Sequence, residues 1–453
     1  MPRQVRKAVA PTYLFLCLLL GGSAQGVWAN MILQLLGLGI LAWAAIDRPA
    51  EPLPRPARQL LWLLVAGIAF VAMQLVPLPA ALWTSFGNRG FLAVDYAALG
   101  LAPPSLPISL TPYATLSSLL SLIPPLAIGL AILRLHAFRP SWLVAALALG
   151  TLSGVLLGVL QVASGDSNSP FYFYRYTNVG VATGFFANAN HFAILLVATI
   201  PFLAAIAAKA KDGDRQRFSA VLFVCVLLTA IIVVGIALNR SLAAALLVLP
   251  VLAASSLLVV RASNRARRFA AAAAAVLLIA GIGILASTSV ADRSIGADAR
   301  TSVQSRSEIF GHTVSAIGDF LPFGSGVGSF RPVYRLYEDQ GSATTTFVNH
   351  AHDDYAELVL ELGLPGAVLI VLFLIWWGAA VSSAWRSAEL KPYVRAASIA
   401  SAAILAHSIV DFPLRTEAML AVFAMCLALL ADRAKAEPAE PNALRPARHA
   451  VLK

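Results

Sequence analysis

Long apolar runs separated by short polar ones dominate the chain. They lie near 12–28, 30–46, 60–77, 112–133, 141–163, 185–208, 219–237, 241–260, 269–290, 355–383, 396–411 and 416–431. Most approach or reach the roughly 20 residues that carry an α-helix across a bilayer. No stretch alternates with the period of two that barrel strands need. The pattern predicts an all-α polytopic membrane protein of about twelve transmembrane helices, built as a single membrane domain over 1–431. Two polar segments between spans are long. The first, 78–111, is rich in Pro and Leu and reads as lying on the membrane surface. The second, 291–354, reads as a large loop containing an amphipathic helix over 301–321. Residues 432–453 are rich in Ala, Pro and charge and read as a disordered tail.

Composition agrees with the pattern: of 453 residues, 59% are hydrophobic and 12% charged, against about 25% charged in a soluble domain. The net charge of +11 would fit a nucleic-acid binder, but its distribution argues otherwise. On the span assignment, 24 of the 33 Lys and Arg fall on one side, with both termini. That bias orients the protein with this side cytoplasmic. The nine outer cations are all arginines, facing 14 acidic residues. Arginine's planar fork suits phosphate and carboxylate. The start of the chain resembles a signal peptide (Arg3, Arg6, Lys7, then an apolar run), but eleven further spans favour an uncleaved first helix. Cys17, Cys225 and Cys426 all fall in spans, have no metal-binding spacing, and read as small apolar residues.

The densest polar cluster is His350-Ala351-His352-Asp353-Asp354-Tyr355, at the mouth of the span that runs on through Gly363 and Gly366. Ionisable groups at such a place are costly and tend to be functional. An imidazole suits general-base work at neutral pH, which makes His352 the candidate base, with Asp353 or Asp354 as a carboxylate to orient it. Two other readings are an interfacial cap and a metal site of His350, His352 and an Asp; for the latter no third strong ligand is evident.

Arg240, within Asn239-Arg240-Ser241, interrupts an apolar stretch where a tight turn requires no cation. Arg306 falls on the stripe Val303, Phe310, Val314, Ile317 and Leu321 of the loop helix. It either snorkels to headgroups or aims into a polar cavity. Gly324-Ser325-Gly326-Val327-Gly328 lacks the strand a dinucleotide site needs, so it forms a tight turn or a close approach to a ligand. Asn188-Ala189-Asn190-His191 opens a span, and a cap explains one Asn but leaves Asn190 and His191 unexplained. Asp411 and Arg415 flank Pro413 between the last two spans, close enough to pair, while His407 reads as a satisfied core histidine. Arg331 completes the secondary candidates with His350, Asp353, Asn190 and Arg415.

Taken together, these motifs resemble the O-antigen ligase and Wzy-type polysaccharide polymerase superfamily. The likeness runs from about Gly184 to Leu430. His352, Gly363 and Gly366 match its His-to-Gly spacing, although Asp353 stands where the family usually has Asn or Ser. Arg240 between small residues, Arg306, the Gly324–Gly328 turn and the Gly184–Asn190 pattern match in order. The resemblance implies a glycosyltransferase-C-like, periplasm-facing enzyme of the bacterial inner membrane. Such an enzyme moves a glycan from an undecaprenyl-diphosphate carrier to a sugar hydroxyl, with no cofactor and no metal. The acceptor would be lipid A core for a ligase or a lipid-linked repeat for a polymerase. Arg240 and Arg306 would hold the diphosphate and His352 would activate the acceptor. The rival class is a transporter of a small anion or glycan; the polar cluster at one face, rather than between repeats at mid-membrane, weighs against it.

Overall fold

The computed structural model describes residues 3–24, 26–47, 52–166, 168–211, 213–260, 297–338, 348–387 and 391–432, with backbone alone at residue 3 and over 297–305. The described residues form helices and no strand; an isolated bridge joins Leu78 and Leu106. In chain order the helices are α1 (Arg3–Leu20), α2 (Trp28–Ile46), α3 (Arg55–Met73), α4 (Ala80–Trp83), α5 (Gly90–Ala98), α6 (Pro112–Ser121), α7 (Ile123–Leu133) and α8 (Pro140–Ser164). Then come α9 (Ala189–Ala210), α10 (Arg215–Asn239), α11 (Leu242–Val259), α12 (Ala297–Phe320), α13 (Phe330–Tyr334), α14 (Asp354–Arg386), α15 (Pro392–His407) and α16 (Glu417–Ala431). A short 3₁₀ turn, Pro413–Arg415, joins the last two.

Among the described residues, eight spans are long and apolar enough to cross a membrane: α2, α3, the α6–α7 pair, α8, α9, α10, α11 and α14. Three more of the expected spans are helical but fall short of that standard. The first, α1, carries Arg3, Arg6 and Lys7 in its opening turns, while α15 and α16 have 16 and 15 residues. The expected span 269–290 lies outside the described residues.

Two spans differ from expectation for clear reasons. The first helix ends at Leu20 rather than near residue 28, where Gly21 and Gly22 let the backbone approach that of Ala418 and Phe185. The Gly21 carbonyl accepts from Ala418 N–H and the Gly22 carbonyl from Ala187 N–H. The run 112–133 breaks at Leu122, just before Pro124 and Pro125, which have no N–H to continue the ladder.

The segment 78–111 also departs from a simple surface layer. Arg89 is 1% exposed, and its guanidinium donates to the carbonyls of Phe86, Ile108 and Gly324. Burial lowers its pKa to about 10. This arginine is a brace for the segment.

The bundle is centred on α9, whose residues from His191 to Leu203 are buried almost without interruption among α8, α10, α11 and α15. An apolar run hydrophobic on all faces is what such a central position requires. One end of the bundle gathers the starts of α9, α11, α14 and α16 and the ends of α10 and α15. Asn239 fixes part of that arrangement, its amide donating to Ala182 O at 2.6 Å and Ala189 O at 2.7 Å.

The long helix α14 contains a break. Gly363 takes φ +63°, ψ −148°, a region essentially restricted to glycine. The break leaves backbone groups of α14 free to bind the Gly-rich turn. Ser325 N–H donates to Leu360 O, Gly326 N–H to Glu361 O and Leu364 N–H to Pro322 O. A Cβ at Gly363 would lie 2.1 Å from Pro322 O, and one at Gly324 2.4 Å from Glu361 O. The Gly-rich turn thus serves a close approach of backbone to backbone. Gly363→Ala should therefore lower stability by about 3 kcal/mol, from the backbone strain and the clash. A fall in thermal midpoint and in yield of monodisperse protein would report it, whereas an unchanged midpoint would refute the reading.

Candidate functional site

The loop helix α12 presents a different face from the one expected. Its buried side is Ile309, Thr313, Ala316 and Phe320, packed on Phe330, Val333, Tyr334, Ala351 and Leu360. Phe310 and Val314, assigned to the apolar stripe, are 47% and 48% exposed. The correction follows from helical spacing: Arg306 precedes Ile309 by three residues and Thr313 by seven, so it lies along the buried face. It points inward, where its guanidinium comes 3.5 Å from Asp411 Oδ2.

Asp411 is the centre of the first cluster. It is 1% exposed. Its Oδ1 lies 3.5 Å from His352 Nδ1 and 3.7 Å from His191 Nε2. Burial opposes its charge, but His191, His352 and the positive Arg306 more than offset that and hold its pKa well below the usual carboxylate range. His352 and Arg306, separated by a long loop in sequence, thus meet on the two oxygens of one carboxylate. His407 lies in the helix turn just before it. It is fully buried, and neither ring nitrogen has a hydrogen-bond partner among the described residues. The expectation of a satisfied core histidine is corrected accordingly.

Phe412 separates this cluster from a second one. Its ring centroid is 4.7 Å from that of His191, 4.9 Å from His352 and 4.2 Å from His350. On the far side, Arg415 faces three buried acids from α14. Its Nη1 is 2.9 Å from Glu361 Oε2, its Nη2 3.4 Å from Glu357 Oε1 and its Nε 3.6 Å from Asp354 Oδ1. Burial alone would lower the pKa of Arg415; Glu357, Glu361 and Asp354 reverse this and raise it. Arg415 pairs with these three, not with Asp411 as expected, because the 3₁₀ turn points the two side chains to opposite sides of Phe412.

The three acids also anchor backbone. Glu357 accepts from Ala351 N–H and binds His350 Nδ1, both at 2.8 Å. Glu361 accepts from Gly328 N–H at 2.7 Å. Asp354 accepts from the Ser408 hydroxyl at 2.8 Å. Glu357 and Glu361 escaped the sequence reading, although the i, i+3, i+7 spacing of Asp354, Glu357 and Glu361 places them on one helical face.

The remaining candidates divide. Asp353 caps α14, its Oδ1 accepting from the N–H groups of Tyr355 and Ala356, so the carboxylate beside His352 is Asp411 rather than Asp353 or Asp354. Asn190 lies in the first turn of α9, its N–H bound by Asn188 Oδ1, one residue before His191. Arg331, on α13, lines a cavity of about 610 Å³ on the Arg415 side, as does His350. Arg240 forms the left-handed cap at the end of α10; its side chain is exposed and makes no ion pair with a described residue. His350 and His352 bind different acids across Phe412. Among the described residues no group of three or more His, Cys, Asp and Glu is placed to hold a metal.

Three described non-glycine residues take positive φ: His136, Arg240 at +62° and His352 at +54°. Such conformations concentrate at functional sites, and two of the three are the residues singled out from sequence.

Residues 224–371 match a family model described as O-Antigen ligase. The matched segment contains Arg240, Arg306 and His352, whereas Asp411 and Arg415 lie beyond it. The match shows the resemblance to the O-antigen ligase and Wzy-type superfamily, and with the apolar helices it supports a multi-pass membrane enzyme acting on lipid-linked glycans. No curated protein matches the chain.

Two outcomes follow from the site. Arg415→Met strands three buried carboxylates and should cost about 3–5 kcal/mol; adding Glu361→Gln should recover part of the lost thermal midpoint, and no recovery would refute a charge-balance role. Asp411 binds its proton less readily folded than unfolded, so its ionised form stabilises the fold at neutral pH. That contribution is lost as pH falls below about 4. The thermal-midpoint gap between wild type and Asp411→Asn should therefore be several degrees at pH 7 and shrink on acidification; a gap independent of pH would contradict the assignment.

Proposed function

We propose that this chain, with its O-antigen ligase segment over 224–371, is a glycosyltransferase that moves a glycan from an undecaprenyl-diphosphate carrier to a sugar hydroxyl, acting as a surface-polysaccharide ligase at the periplasmic face of a bacterial inner membrane. The observation that carries the reading is the convergence of His352 and Arg306 on buried Asp411.

Each residue then has a chemical task. Asp411 faces Nδ1 of His352, which favours the tautomer protonated there and leaves Nε2 free as a base. Nε2 takes the proton of the acceptor hydroxyl as its oxygen attacks the anomeric carbon. The bond from that carbon to the diphosphate breaks, and undecaprenyl diphosphate departs with the electron pair. Arg306 stabilises the charge that develops on the leaving group. Arg240, on a strained turn at the same end of the bundle, supplies a second cation when the diphosphate arrives. The arginines stand in for the divalent metal that many phosphate-handling sites use, so the reading requires none.

Polymerase activity is the second reading, because the same residues would serve a lipid-linked repeat as acceptor. Asp411 is a positioning residue in either case. With purified protein, a lipid-linked donor and an acceptor glycolipid, His352→Ala and Arg306→Ala should each lower transfer at least 100-fold. Asp411→Asn should lower kcat more than KM and shift the pH profile. Near-wild-type transfer by both alanine variants, with normal folding, would overturn the assignment.

A further inference from the structure

The cavity of about 610 Å³ lies on the side of Phe412 away from Arg306 and His352, and neither of these lines it. Its walls are mostly apolar and come from α2, α3, α6, α7, α14 and α16. Its charged lining residues are four acids, Asp354, Glu357, Glu361 and Glu417, and two cations, Arg331 and Arg415. Arg415 is engaged by three of these acids, so the cavity offers a diphosphate little uncommitted positive charge.

A second polar set in the wall is left unexplained by the chemistry above. Glu417, at the start of α16, is 1% exposed and accepts from Gln34 Nε2 at 2.6 Å through one oxygen. Its other oxygen, Oε2, has no hydrogen bond among the described residues, and neither has Oδ1 of Asn30, which is 5% exposed. Oδ1 of Asn30 is an acceptor, as is Oε2 of Glu417 when its carboxyl is ionised, and buried polar atoms left empty are costly. The partner that would satisfy them must bring donors and must not bring concentrated negative charge. Sugar hydroxyls meet both conditions, and the apolar walls suit a lipid attached to them.

We propose that this cavity is a binding site for the lipid-borne saccharide acceptor, with Glu417 and Asn30 receiving its hydroxyls and the donor diphosphate confined to the Arg306 side of Phe412. The inference rests on the transfer reading above and assigns the two substrates to opposite faces of one aromatic ring. His350, which lines the cavity and contacts Phe412, marks the boundary between them.

Full-length protein in phosphatidylcholine nanodiscs provides the test, with two probes measured separately: a lipid A core glycolipid, and undecaprenyl diphosphate bearing no sugar. Three variants are informative. Glu417→Leu and Asn30→Leu remove the acceptors. Gly129→Leu fills the cavity from α7, at a lining position where an added Cβ meets open space, so it changes no member of the polar set. Each should weaken glycolipid binding at least tenfold and leave undecaprenyl diphosphate binding within twofold, with thermal midpoints checking the fold. If Gly129→Leu folds normally and binds the glycolipid as wild type does, the proposal is overturned. Selective loss of undecaprenyl diphosphate binding would overturn it too and assign the cavity to the donor. If the wild-type protein binds the glycolipid but transfers no glycan to it, the transfer reading fails and the cavity assignment survives.

Discussion

The ion group of Arg415 with Asp354, Glu357 and Glu361 is the constraint on which this end of the bundle depends. Three carboxylates on one face of a helix inside an apolar bundle would separate the helices if left alone. One guanidinium holds them, and their spare oxygens then bind the backbone of two loops. Glu361 fixes the turn after α12, Glu357 fixes the approach to His352, and Asp354 ties α14 to the end of α15. His352, Arg306 and Asp411 are each carried by elements that this group joins. Arg415 thus acts by holding three acids in place and need not meet a substrate.

Asp411 sits four residues before Arg415 and works in the opposite electrostatic sense. It is one carboxylate among cationic and imidazole groups, whereas Arg415 is one cation among carboxylates. Phe412 stands between them and lets two groups of opposite polarity lie side by side without pairing. Without that ring, Asp411 and Arg415 would be free to neutralise each other, and the charge that orients His352 would be lost.

Much of this was legible in the sequence, and the failures have definite causes. Apolar runs set by a 20-residue membrane requirement are hard to misread, so among the described residues helices appear where spans were expected, apart from ends shifted by Gly-Gly and Pro-Pro contacts that no local pattern records. His352, Arg240 and Arg306 stood out because polar groups at helix mouths demand explanation. Their partners did not, because pairing across the fold is not written in spacing: Asp411 and Arg415 are near in sequence and were expected to pair, yet they face apart. The stripe of α12 was misassigned because Phe310 and Val314 outweighed a buried face made partly of Thr313 and Ala316. Glu357 and Glu361 were overlooked, although their spacing from Asp354 was in plain view.

The break at Gly363 has a geometric consequence. An unbroken helix of 33 residues would be about 50 Å long, far more than the roughly 30 Å of a bilayer's hydrocarbon core. Beyond Gly363 the helix runs about 34 Å to Arg386, which matches that thickness with a modest tilt. All three acids precede the break and no acid follows it within the helix. Gly363 therefore works as a depth gauge. It sets the level at which the apolar part of α14 gives way to polar structure, and with it the level of the Arg415 ion group along the helix.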